Sequence, residues 1–170
     1  LAKPVLPAAG KFDAWRNDSL IRLRQAAFAA WPVHATANFS PVLGTEPRAE
    51  KETTEDGIEV SWRWLPGKGN ARWLIVLNAD EDARKLPDWA RPVVGEDSVL
   101  LLSPRGVGPE TWTQGKFPNP IERAMALLGA TVDSGRVWDV MTVAGRRAEP
   151  NVHWRAAGRG RAGIVAAYAA

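Results

Sequence analysis

With 170 residues, 45% of them hydrophobic, the chain has the length of one globular domain with a substantial core. Its formal net charge of +3 comes from 22 basic residues spread among 19 acidic ones. This pattern reads as surface charge even at its densest spots, Arg146-Arg147 and the spaced Arg155, Arg159 and Arg161, and argues against nucleic acid as a partner. The absence of cysteine excludes disulfides, Cys-ligated zinc and a thiol nucleophile, and no apolar run approaches the ~20 residues of a membrane-crossing helix, so no membrane partner is expected.

Residues 1–10 are rich in Pro and Ala and predict an extended lead-in. From Phe12 to Trp31 the apolar residues Phe12, Trp15, Leu20, Leu23, Ala27, Phe28 and Trp31 recur at helical spacing, and Pro32 ends the run. This predicts an amphipathic accessory helix, so residues 1–46 are divided as lead-in and helix from a domain over 47–170. Two extended segments, 48–55 and 58–65, flank Asp56-Gly57, a hairpin signal because glycine tolerates the positive φ of a tight turn.

Arg72-Trp73-Leu74-Ile75-Val76-Leu77 is a short apolar run of the kind expected for a strand covered on both faces. A helix is expected over 81–91, a second buried strand at Ser98-Val99-Leu100-Leu101-Leu102, and a long surface loop over 103–118. Helices follow over 119–130 and 132–147, with Pro150 past the end. A strand over 151–157, a tight turn Gly158-Arg159-Gly160-Arg161-Ala162-Gly163 and a helix complete the series. This order predicts a three-layer α/β/α domain with a leading hairpin and later parallel strands. The chain starts without Met and stops in an apolar run, which predicts a piece of a longer polypeptide.

The glycine turn has the frame G-x-S-x-G of a nucleophile elbow, in which small flanking residues let strand and helix pack closely while the central side chain projects outward. Its centre is Gly160, which has no side chain. Together with Arg105-Gly106-Val107-Gly108 and Gly135-Arg136-Val137-Trp138-Asp139-Val140, the turn resembles the α/β-hydrolase superfamily over residues 72–170. The likeness is to bacterial acetyl xylan esterase-like and prolyl-oligopeptidase-type hydrolases. The resemblance implies an incomplete hydrolase domain, a carboxylic-ester hydrolase ancestry, a secreted or periplasmic setting, and an acid and a histidine beyond Ala170 in chain order. It departs from the family at Ser103, where Asp is frequent, and at Gly160, where the nucleophile belongs. A degenerate copy, packed against the rest of its own polypeptide or an active hydrolase domain, fits both departures, and a carbohydrate ester is the ligand class the family suggests.

In that frame the oxyanion-hole amides would be those of Arg161 and of the loop at Asn78, Ala79 and Asp80. Ser103, at the end of a central strand, is the nearest substitute hydroxyl, but the favoured reading is a loop serine bonding its own backbone. Arg105 either contacts ligand near the elbow or anchors its loop through a salt bridge. Trp138-Asp139 reads as packing plus a helix-to-loop hydrogen bond. Trp112 is the candidate exposed aromatic among nine tryptophans, whereas Trp62 and Trp64 share one strand face and read as core. His34 and His153 are isolated, no set of His, Asp and Glu has metal-ligand spacing, and no cofactor is expected. The turn also satisfies G-x-G-x-x-G through Gly158, Gly160 and Gly163, leaving a dinucleotide-binding alternative.

Overall fold

The computed structural model describes residues 5–32, 44–112, 120–147 and 152–170. His34, Asn151 and the greater part of the loop expected after Trp112 lie outside the described residues. Five strands, β1 (Arg48–Glu55), β2 (Ile58–Leu65), β3 (Arg72–Val76), β4 (Ser98–Ser103) and β5 (Trp154–Gly158), form one sheet in the order β1-β2-β4-β3-β5. The hairpin β1–β2 turns at Gly57, whose φ is 72°, and β2 runs antiparallel to β4. From β4 onward the strands are parallel, β3 pairing with β4 on one side and β5 on the other.

β4 is central, and Leu100, Leu101 and Leu102 are all buried because both faces of the sheet are covered. Leu100 and Leu102 meet helices α4 (Val132–Gly145) and α5 (Arg161–Ala169) through Val137, Val140, Val143, Val165 and Ala166. Leu101 faces the other way, with Ile75, Val99 and the short helix α2 (Arg91–Val94). Alternation along a strand thus divides one apolar run between two cores, each buried leucine contributing about 1.5–3 kcal/mol. These are the three layers that the element order predicts.

Helix α1 (Phe12–Ala27) stops four residues short of the predicted Trp31 and is not amphipathic as expected: it buries none of its residues, Phe12, Trp15 and Leu20 are exposed, and only its C-terminal end and the segment after it reach the core. Phe28 is buried there, stacks on Trp31 at 4.2 Å and meets Tyr168 edge-on. Trp31 donates its indole N–H to the Ser134 carbonyl at 2.8 Å, which fixes this end against α4. Helix α3 (Pro120–Leu127) buries none of its residues, and Leu127 and Leu128 are exposed.

Two expectations need correction. Residues 81–90 form turns and the only helix in the predicted span is α2, beginning at Arg91. Pro87 cannot donate a backbone bond, and carboxylates capture local donors: Glu81 accepts from the Asn78 amide and the Trp89 indole, and Asp82 accepts from the Arg84 amide. Arg146 and Arg147, read from the sequence as surface charge, are buried at the end of α4. Glu52 of β1 takes both guanidinium groups, at 2.7 and 2.5 Å, and Arg147 also stacks over Trp62 at 4.5 Å.

Candidate functional site at the glycine elbow

β5 enters the turn at Gly158 and α5 leaves it at Arg161. The two elements approach so closely that a Cβ on Gly158 would lie 2.6 Å from the Ala162 carbonyl carbon, and one on Gly163 would lie 2.8 Å from the Gly158 oxygen. The flanking glycines are therefore required by space. Gly160 is different, because a Cβ there would meet nothing within 4 Å. Its backbone, at φ 56° and ψ −123°, is one that L side chains rarely adopt, so glycine is required here by conformation and not by space.

Asn78, just past β3, clamps the turn. Its side-chain amide donates to the Arg159 carbonyl at 2.7 Å, and its side-chain oxygen accepts from the Ala162 amide at 3.1 Å, which caps one orphan N–H of α5. The backbone amide of Asn78 itself donates to Glu81 at 2.7 Å and is thus committed within its own loop. The Arg161 amide opens α5 and has no intrahelical acceptor. Ala79 and Asp80 are exposed on the same loop, with Asp80 3.7 Å from Arg159.

A cavity of about 290 Å³ lies beside the turn, lined by Asn78, Ala79, Asp80, Arg136, Arg161 and the apolar side chains Val107 and Val165 among others. Asp133, in the first turn of α4, accepts the Nε–H of Arg161 at 2.7 Å and an Nη–H of Arg136 at 3.2 Å. Burial pushes the Arg136 guanidinium below its ordinary pKa; Asp133 opposes that shift and the nearby Arg161 charge adds to it. Sequence reasoning did not assign Asp133 or Arg136 to the elbow. The signal was there as an acid and an arginine three apart on a helix, but only the crossing of α4 over α5 brings both to the turn.

Arg105 is turned into the protein. Its guanidinium binds Asp139 through two parallel bonds of 2.9 and 2.8 Å, its backbone amide donates to the same carboxylate at 3.0 Å, and its third contact is Glu55 at 2.9 Å. Thr54 completes the Asp139 shell at 2.6 Å, and Trp138 donates to the Thr54 carbonyl at 3.0 Å. Burial alone would lower the Arg105 pKa, yet Asp139 and Glu55 together raise it. A Cβ at Gly135 would stand 2.7 Å from this guanidinium, which explains glycine there. The two motifs R-G-x-G and R-x-W-D thus meet as one buried anchor between β1, the loop after β4 and α4.

Ser103 does not belong to the elbow. It leaves β4 on the Leu101 face, opposite Ser61, and lines a separate cavity of about 300 Å³ with Lys51 and Arg63. Trp112 is half-buried and its ring lies against Gly106, where a Cβ would come within 3.2 Å. His153 is exposed just before β5. Among the described residues, no group of three or more His, Asp and Glu could hold a metal ion, and no helix is long and apolar enough to cross a membrane.

No protein-family model matches the chain, and no curated protein matches it. Its fold is similar to solved α/β-hydrolase structures. Acetyl Xylan Esterase 1 from Thermoanaerobacterium superposes with a TM-score of 0.54 at 16% identity, over 97% of this chain and 55% of the esterase. A Bacteroides fragilis protein assigned provisionally as an acetyl xylan esterase gives 0.54 at 10% identity, over 94% of this chain and 51% of that protein. The chain thus spans about half the length of these structures, and at such identities the likeness is one of fold.

Proposed function

We propose that this chain is a hydrolase-fold domain that binds a ligand or a partner at its elbow and does not carry out ester hydrolysis there. The observation that carries the proposal is Gly160, which holds the elbow backbone at φ 56° and ψ −123° with open space where a nucleophile would stand. Nucleophilic catalysis requires an activatable group beside a base. Loss of a serine nucleophile costs on the order of 10⁶ in kcat in the subtilisin case, so an elbow of this shape without one retains only binding. Ser103 opens into a different cavity, and Arg105 is committed to Asp139 and Glu55. Both point to a scaffold role for the residues around the turn.

In this proposal the domain forms part of a larger carbohydrate-esterase-like protein and packs against its remainder, including an active hydrolase domain. The strand order, with an antiparallel hairpin leading into parallel strands and the glycine turn after the fifth strand, favours the hydrolase frame over dinucleotide binding. A dinucleotide fold of the Rossmann type places its fingerprint in the first βα turn.

The test is hydrolysis of p-nitrophenyl acetate by the wild-type chain and by Gly160→Ser. The wild type is expected to stay at the uncatalysed rate. Saturable wild-type turnover would refute the proposal, and saturable binding of NAD(P) would favour the dinucleotide alternative instead.

A further inference from the structure

The elbow cavity carries an unbalanced positive charge. Asp133 takes the inner Nε–H of Arg161 and one Nη–H of Arg136, while Arg136 gives its own Nε–H to the Arg105 carbonyl at 3.1 Å. The two terminal nitrogens of Arg161 and Nη2 of Arg136 have no partner among the described residues. Two guanidinium groups therefore share one carboxylate at a cavity wall; of the other acids near them, Asp80 is 73% exposed and lies beside Arg159, and Asp139, whose charge also reaches Arg136, is bound by the Arg105 guanidinium.

We propose that this cavity binds a small organic monocarboxylate, held by the free terminal nitrogens of Arg161 and Arg136 next to the vacant side-chain position of Gly160. The proposal rests on the non-catalytic reading of the elbow and names its ligand class. Two cations against the single charge of Asp133 leave one positive charge to be met, which suits a monoanion better than a phosphate dianion. A planar carboxylate also matches the fork of a guanidinium. Val107, Val165 and Ala162 supply an apolar wall for the rest of the ligand, and about 290 Å³ is near the lower bound for ligand pockets, which suits a small ligand. The α5 N-terminus, with the Arg161 amide unpaired in the helix, adds a favourable field for the same charge.

The experiment is a titration of the ¹⁵N-labelled chain with propionate, with the uncharged isostere propionamide and with inorganic phosphate at constant ionic strength, followed at the Arg136 and Arg161 Nε–H and the Gly160 amide signals. Propionate is expected to give saturable shifts at these groups, and propionamide none. Arg161→Gln, a change at an exposed side chain, is expected to weaken propionate about tenfold or more. Asp133→Asn removes the competing carboxylate and is expected to tighten it, an effect opposite in sign to damage of the fold. Equal responses to propionate and propionamide, or unchanged affinity in Arg161→Gln, would overturn the proposal, as would phosphate binding more tightly than propionate. Because no step is hydrolytic, ester turnover by the wild type would refute the non-catalytic reading separately from this titration.

Discussion

Replacing Asp139 by asparagine is expected to be the most destabilising isosteric change near the elbow. The Asp139 carboxylate is fully buried and each oxygen accepts two bonds, Oδ1 from Arg105 Nη2 and Thr54, Oδ2 from the Arg105 amide and Nε. Asparagine must turn an NH₂ group toward two of those donors and removes the charge that balances a guanidinium only 3% exposed. Glu55, itself 37% exposed, is then the remaining acid on Arg105. Breaking one side of a buried pair costs about 3–5 kcal/mol, which for a domain of this size corresponds to a fall of about 6–20 °C in Tm. Urea unfolding followed by tryptophan fluorescence would read this as a lower midpoint with an unchanged m value. The double change Arg105→Met with Asp139→Leu should recover most of the loss, because an apolar pair leaves no stranded charge. A loss below about 1 kcal/mol for Asp139→Asn, the level of an exposed ion pair, would show that solvent reaches the network and refute the argument.

Three further outcomes can be measured with the same preparations. Gly160→Ala should cost only the strain of its dihedral, about 1–2 kcal/mol, whereas Gly158→Ala forces a Cβ onto the α5 backbone and should cost about 3 kcal/mol or more; equal losses in urea unfolding would contradict the packing described for the turn. Asn78→Ala removes two hydrogen bonds that clamp the elbow, a loss of about 2 kcal/mol that should also speed hydrogen exchange at the Ala162 amide. Asp82 is held down to about 2 by hydrogen bonds from the Arg84 side chain and amide. Its depressed value means that the turn gains stability above the ordinary value of 3.8 and loses it as pH falls toward 2. A carboxyl ¹³C titration should find that value in the wild type and a rise toward 3.8 in Arg84→Ala.

The sequence by itself determined the elements whose signals are local. The Asp56-Gly57 hairpin falls where predicted because only the turn residue had to be identified, and β3 and β4 are found because an apolar run of five or six residues has few other uses in an α/β chain. The tight turn was likewise legible, since Gly158 and Gly163 allow the close approach of strand and helix and Gly160 takes the positive φ between them. The span 81–90 was misjudged because its helical pattern competes with Pro87 and with carboxylates that bind the local backbone, a contest that spacing does not resolve.

Only the tertiary structure decided where charges go. Glu52 and Arg147 are 95 residues apart, so nothing local distinguishes that buried pair from surface charge, and although Arg105 and Asp139 each read as an anchor, only the fold matches them across 34 residues. The packing of α4 against α5 brings Asp133 and Arg136 to the turn at Arg161, where Asp133 bonds both arginines at the wall of one cavity. The physical reason is one of range: turn and strand preferences act over a few residues, whereas the pairing of a charge depends on which distant segment folding places against it.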